Sequence, residues 1–388
     1  MSEAVLERPP DSQDPIAQVA PEELDLLTPK QLAWRRFKRH RLALVSGGVL
    51  IFMYFVAGFA EFFAPYATTY RNVTAINAPP MDVRFFEHDG TFHFRPFVYG
   101  YDLHINEETW AREYSENPEK LYPLRFFARG DPYELWNLFD GNLHLFIAED
   151  ETGAGYIHFL GTDQLGRDVL SRVIYGGRIS LSIGMLGIGL TLILGVFFGG
   201  FAGYLGGWVD RIVQRMIEVL QSLPTLPLWM ALTAALPAHW SSLRIYFGVT
   251  IILSLFGWTA LARQVRGRFL ALRNEDFVIA ARLIGSGQNR IIFKHMMPSF
   301  MSHTITTATL AVPGVILGET ALSFLGIGIR PPIVSWGVLM EQAQNYQVIS
   351  MTPWILYPGL FVVIAVMAFN VLGDGLRDAA DPYNTGGL

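Results

Sequence analysis

Few residues of this chain are spaced to do chemistry. Asp163 and Asp168 lie in Gly161-Thr162-Asp163-Gln164-Leu165-Gly166-Arg167-Asp168. Two carboxylates can begin a metal site, but a hard cation takes at least about six oxygen ligands, more than this stretch supplies. Their expected role is structural: Thr162 or Asp163 caps a helix, and Arg167 and Asp168 form ion pairs. Arg215 and Glu218 stand at i, i+3 in an apolar run. Charges so placed are functional candidates, but the spacing favours a local ion pair. There is no cysteine, hence no disulfide or thiolate metal site. No G-x-x-x-x-G-K-[ST] phosphate loop occurs. The nine histidines are scattered, mostly over residues 65–160, with no Ser/His/Asp constellation. No catalytic residue, metal or cofactor is expected, and the chain is not expected to be an enzyme.

What must position the rest is a membrane. The 388 residues are 51% hydrophobic and 16% charged, where a soluble domain carries about 25% charge, and mean hydropathy is +0.30. The net charge of -5 carries no nucleic-acid signature. Apolar runs of membrane-spanning length predict six transmembrane helices, near 42–63, 179–204, 212–235, 244–263, 299–318 and 353–373. Pro224, Pro227 and Pro313 interrupt the third and fifth. Residues 1–30 are polar and acidic and are expected to be a disordered tail. A basic block, Arg35 to Arg41, precedes the first span in a 31–64 segment. Ala57 to Ala60 resembles a signal-peptidase site, but the apolar run is too long, so a signal anchor is the better reading. Arg263, Arg266, Arg268, Arg273, Arg282, Arg290 and Lys294 fall on the same side as that block, and Arg211 and Arg215 agree. From Glu319 to Pro353 only Arg330 is basic. The positive-inside rule then places both termini, including the 374–388 tail, in the cytoplasm.

Residues 65–160 lie on the opposite side, too long for a structureless loop and dense in aromatics. Val83 to Phe94 reads as a hairpin turning at Asp89-Gly90. Asn137 to Ile147 repeats the pattern around Asp140-Gly141, Tyr156 to Phe159 offers another strand, and Asn106 to Glu119 reads as helix. A small inserted α+β extracytoplasmic domain is expected, rather than separate hairpins on the membrane surface. Asn72-Val73-Thr74 matches a glycosylation sequon by chance.

Within the 179–373 core, Gly195, Gly199 and Gly203 line one helix face and allow close helix contact; Gly184 and Gly187 extend it. The most informative stretch lies in loop 264–298. Phe277 to Ile284 has helical character with small Ala280 and Ala281 adjacent. Gly285 can stop it in the left-handed conformation, and Gln288 to Met297 reads as a second helix before Pro298. Such a knob either meets a partner or, as an amphipathic helix, rests on headgroups.

This loop resembles the EAA loop of bacterial ABC importer permeases: Ala280, Ala281, Gly285 and Pro298 match its pattern, while Ile279 stands where that motif has Glu. The 161–178 segment and its surroundings, Leu160 to Leu181, resemble the C-type permease of the oligopeptide/dipeptide/nickel family, as do Gly318 to Gly328 with Pro331-Pro332 and Ser335-Trp336-Gly337, and Asn370 to Pro382. The resemblance covers about 42–64 and 160–383. It implies an all-α integral membrane protein of the type I importer fold. It implies ATPase coupling through Phe277, Ala280, Ala281, Gly285, Ser286 and Pro298. It further implies a second homologous permease, one or two cytoplasmic ATPase subunits, an extracytoplasmic solute-binding protein, a bacterial inner membrane and a peptide cargo, with nickel or oligosaccharides as lesser options. The rival classes are an ion-coupled secondary transporter, which asks for buried ionisable relays and inverted repeats, and a membrane enzyme using the external domain.

Overall fold

The computed structural model describes residues 29–380 apart from 109, 111, 137, 150–154 and 238. The expected disordered tail therefore falls outside the described residues up to 28, as do residues 381–388, and Pro29 already begins α1 (Pro29–Arg39). The His40 ring then caps α2 (Arg41–Gly58), with Nδ1 accepting from the Ala43 amide at 3.1 Å. A short α3 (Ala60–Phe63) follows.

Among the described residues, five helices are long and apolar enough to cross a membrane. They are α2, α4 (Val169–Leu205), α7 (Ser242–Leu272), α9 (Gln288–Phe324) and the Pro353–Ala380 stretch, whose main part is α10 (Tyr357–Ala380). The expected third span, 212–235, is not one helix. It divides into α5 (Gly207–Ser222) and α6 (Thr225–Ala234). Leu223 and Pro224 are extended, with ψ of 138° and 119°, because proline offers no amide hydrogen and crowds the residue before it out of helix. Pro313, by contrast, stays inside α9. The glycine register gives directions. Gly195, Gly199 and Gly203 of α4 meet Leu261, Ala262 and Phe269 in turn, so α4 and α7 run parallel; Gly184 meets Ile316 and Gly187 meets Val315, so α9 packs against the first half of α4. The chain must therefore return between α4 and α7. Arg266 pairs with Asp210 of α5 at one end (Nη2–Oδ2 2.6 Å), and Leu236, just past α6, meets Gly248 near the other.

The insertion is a four-stranded antiparallel meander: β1 (Arg84–Phe86), β2 (Phe92–Ile105), β3 (Arg112–Leu135) and β4 (Phe139–Ala148), in that order. The first hairpin turns as expected, with Gly90 at φ +89° and the Glu87 amide bonded to the Thr91 carbonyl. Three expectations are corrected. Residues 112–119 are strand, with Glu113 opposite His104 and Glu116 opposite Tyr101; glutamates favour helix only weakly, and pairing with β2 overrides that preference. The second turn involves Trp136 and Leu138, while Asp140 and Gly141 sit within β4 opposite Glu134 and Tyr133. Tyr156 to Phe159 forms no strand, although the Met81 amide bonds to the His158 carbonyl. The described part of the insertion is thus all-β rather than α+β. Its core is Met81, Val98, Leu124, Phe146, Ala148 and Ile157, with Leu170 of α4 packed against it, so the sheet grows directly out of the first turn of a membrane helix.

Candidate functional site

The loop between α7 and α9 carries the residues singled out for coupling. It opens with α8 (Asp276–Leu283). Gly285 adopts φ +77°, its amide bonds to the Arg282 carbonyl and the Ser286 amide to the Ala281 carbonyl, each at 3.0 Å. This paired closure satisfies the last helix carbonyls and needs a left-handed residue at Gly285. Val278 and Ala281 plug α8 into a core of Leu261, Val265, Phe269, Ile291, Met296 and Phe300. The opposite face stays open: Phe277 and Ile279 are 43% exposed, Leu283 and Ile284 82%.

The six candidate residues therefore divide. Phe277, Ala280, Gly285 and Pro298 are exposed, Ser286 is half-buried, and Ala281 faces the protein's own core. No atom lies within 4 Å of a Cβ built on Gly285, so the glycine is needed for its backbone angle and not for space. The expected second helix does not end at Pro298. It runs through a π-helical stretch, Ile291–Met296, into the remainder of α9, and Pro298 occupies the first turn of the Met297–Phe324 α-helix. A missing amide hydrogen matters least there.

The glycine face lies under this knob. A Cβ on Gly199 would meet the Ala262 backbone, and one on Gly203 the Arg266 carbonyl at 2.7 Å. Gly195 sits against Leu261, whose Cδ2 is 2.8 Å from the Cβ position. The α4–α7 approach is thus set by backbone contact, which only glycine permits. Arg215 and Glu218 form their local pair at 2.8 Å, on α5 with side chains 79% and 53% exposed.

At the opposite end of α4, the Asp163/Asp168 segment is fully partnered. Asp163 Oδ1 accepts from the Leu165 and Arg167 amides at 2.9 and 3.0 Å, and its Oδ2 from Arg167 Nε at 2.8 Å and from Arg172 Nη1. Asp168, rather than Thr162 or Asp163, is the helix cap, with Oδ2 accepting from Ser171 N and Oγ at 2.7 Å. Its other oxygen lies 3.0 Å from His158 Nδ1, and both side chains are buried. Arg167 pairs with Asp163 and Asp168 with His158, so these two neighbours serve separate partners. Thr162 ties back to the Ala75 carbonyl and the Ala78 amide. Nearby, burial pushes the Tyr66 phenol well above its ordinary range and raises that of Tyr101 to about 12. Both hydroxyls therefore keep their protons across the physiological range, and that of Tyr101 donates to the Pro80 carbonyl at 2.9 Å.

Sequence reasoning assigned no role to Glu319. It is fully buried in α9, where Ser323 Oγ and Ser180 Oγ reach its two oxygens at 2.8 and 3.2 Å and Ser335 adds a third hydroxyl. The same serines hold backbone amides: Ser180 accepts from Trp336 and Ser323 from Ile329. A lone carboxylate in an apolar span, with serine four residues on, was the available signal. Among the described residues no group of three or more His, Asp or Glu side chains could hold a metal ion.

Residues 195–384, which contain the glycine face, the knob and Glu319, match the family described as "Binding-protein-dependent transport system inner membrane component". Residues 28–80 match the N-terminal TM domain of oligopeptide transport permease C. The dipeptide transport system permease protein DppC of Bacillus subtilis (strain 168) is 31% identical over 353 residues, covering 91% of this chain and 85% of its own. The oligopeptide transport system permease protein OppC of Haemophilus influenzae is 40% identical over 232 residues, 60% of this chain and 72% of its own. Among solved structures, the inward-facing MetNI methionine ABC transporter aligns over 55% of this chain and 97% of its own, with TM-score 0.42 and 15% identity. With its exposed loop knob, its glycine-packed helices and this likeness to DppC over most of both chains, the protein belongs to the inner-membrane permease components of binding-protein-dependent ABC importers.

Proposed function

We propose that the chain is the C-type permease subunit of an ATP-driven importer of di- or oligopeptides, of the type I fold. In this reading the chain crosses the membrane six times, with α5 and α6 together making the third crossing and both termini in the cytoplasm. A second, homologous permease completes the translocation path. One or two ATPase subunits supply the energy, and a solute-binding protein delivers cargo from outside. The carrying observation is α8: anchored inward by Val278 and Ala281, it turns Phe277, Ile279, Leu283 and Ile284 outward beside the Gly285 corner. An exposed apolar face on a braced helix fits a groove in a partner. ATP-driven approach of two ATPases would push two such knobs together and tip the permeases as rigid bodies. The peptide cargo rests on the names of the relatives.

The test is uptake of labelled peptides by proteoliposomes holding both permeases, the ATPases and the binding protein. ATP-dependent uptake supports the reading. Uptake driven by an ion gradient without ATP overturns it in favour of a secondary transporter. For sidedness, the cysteine-free chain allows single labels. Asp89→Cys should react with an impermeant thiol reagent from outside and Ser286→Cys should not; the reverse pattern inverts the topology.

The insertion is assigned a part in receiving the binding protein. Phe86, Phe92 and Phe94 beside the β1–β2 turn are 58–90% exposed. Because the sheet core includes Ile157 and touches Leu170, point changes are a cleaner test than removal of the domain. Phe86→Ser with Phe94→Ser should leave assembly intact and lower the stimulation of ATPase activity by the binding protein. Unchanged stimulation and uptake would remove this role.

A further inference from the structure

The other end of the sheet has a different chemistry. The β3–β4 turn does not point away from the membrane helices but runs back down beside them. His144 Nδ1 lies 2.9 Å from the Ala64 carbonyl, above α3. At the tip, Trp136 Nε1 donates to the carbonyl of Gly58, the last residue of α2, at 2.8 Å. The tip thus lies about six residues, or about 9 Å, further down the helix axis than His144.

That level can be placed against a bilayer. Arg41 to Gly58 spans seventeen helical steps, about 26 Å, and a hydrocarbon core is about 30 Å thick. With Arg41 at one boundary, Gly58 stops a few ångströms short of the other, and the tip of the hairpin stops with it. The side chains suit that depth. Trp136 is 50% exposed, Leu138 73% and Phe139 62%, and Phe127 just above them is 65% exposed. Ring contacts join them to the membrane helix: Trp136 to Phe59 at 5.6 Å, Phe59 to Phe55 at 5.0 Å, and Phe127 to Phe62 at 6.1 Å. Phe55 and Phe52 continue this surface down α2 at 52% and 64% exposure. The backbone is bent to make these contacts, since Phe127 and Trp136 hold φ of +52° and +55°. Left-handed angles on bulky residues are strained and persist where surrounding contacts demand them.

We infer that the tip of the β3–β4 hairpin is a membrane anchor, seating Trp136, Leu138 and Phe139 in the headgroup–hydrocarbon boundary of the lipid beside α2. The occupant is lipid because the patch continues the exposed surface of a membrane helix at its own end. Its composition is also that of the aromatic belts found at this depth, an apolar ring with a satisfied N–H. Glu134 and Asp140, which face each other across the strands one step above the tip, set a limit. Their carboxylates belong in the headgroup layer, so the anchor is shallow. The inference needs α2 to cross the bilayer but is independent of the cargo.

The test uses single nitroxide labels at Leu138→Cys and Phe94→Cys in the assembled transporter in phosphatidylcholine/phosphatidylglycerol vesicles. Phe94, 90% exposed beside the far turn, is the control in water. The ratio of collisions with oxygen, which concentrates in lipid, to those with a water-soluble nickel chelate should be several-fold higher at 138 than at 94. Equal ratios would put the tip in water and overturn the anchor. A label at 138 shielded from both reagents would overturn it in favour of a protein partner covering the patch. Failed uptake with the oxygen preference intact would count against the transport reading alone.

Discussion

Two corners of this protein use the same backbone conformation for different reasons. At the junction between sheet and membrane helix, Gly161 and Gly166 hold φ of +72° and +70°; at the knob, Gly285 holds +77°. A Cβ on Gly166 would overlap the Asn72 carbonyl, and one on Gly161 would lie 2.8 Å from both the Ala78 carbonyl and the Trp354 ring. A Cβ on Gly285 would touch nothing within 4 Å. The junction glycines are locked in by the protein's own packing. The knob glycine sits in open space and aims a surface that the chain itself does not cover. A positive φ therefore marks close packing in one place and an uncovered corner in the other, and the surrounding space distinguishes them.

The largest expected effect is at the junction. Asp163→Ala removes the acceptor shared by Arg167 and Arg172, and Arg172 is only 5% exposed. Stranding a buried charge costs about 3–5 kcal/mol, so the variant should show a sharply lower thermal midpoint or yield no folded protein in detergent. A midpoint unchanged from the parent would show that this network contributes nothing. Next, Gly166→Ala should destabilise by more than Gly285→Ala. Both carry the left-handed penalty of about 1–2 kcal/mol, but only the former adds a backbone clash. Equal losses in the two variants would erase the distinction drawn above. Third, Gly285→Leu should leave the chain folded and inserted while peptide uptake falls away from ATP hydrolysis in the assembled transporter. Full uptake with normal ATPase association would deny the knob its role. The smallest effect belongs to Arg215→Ala on the exposed face of α5. An open i, i+3 pair contributes about 0.5 kcal/mol at most, and a larger shift would mean that this pair engages something beyond its own helix.

What could be read from the sequence follows the range of the forces involved. Local signals carried α8 and its Gly285 stop, the first β-hairpin at Asp89-Gly90, and the Arg215–Glu218 pair. Pro224 and Pro227 marked the third run as interrupted, and the covalent geometry of Pro224 makes the break. Long-range partners were not legible. Arg178 chelates Glu61 at 2.6–2.7 Å across more than a hundred residues, and Asp168 pairs with His158 rather than with the arginine beside it. Residues 112–119 carry helix-favouring glutamates and still become strand because β2 offers a paired edge. Glu319 was hidden for the same reason: its meaning depends on Ser180 and Ser335, which come together only in the fold.

Two tryptophans, Trp336 and Trp354, donate their indole hydrogens to the carbonyls of Val173 and Thr162, at 3.0 and 2.8 Å. With Arg178 bonded to Glu61 and to the Ala57 and Gly58 carbonyls, these bonds rivet the start of α4 and the Thr162 stretch before it, the end of α2 with α3, and the 325–356 segment into one block. Such a block transmits force without absorbing it. Any bending would cost least at the α5–α6 break: at Leu223–Pro224 the helical ladder is already interrupted, so bending there sacrifices no hydrogen bond that straight helix would have kept. In the coupling proposed above, the subunit would act as a stiff lever with a pre-cut hinge, so that a push on the knob would turn the far end instead of straining the helices in between.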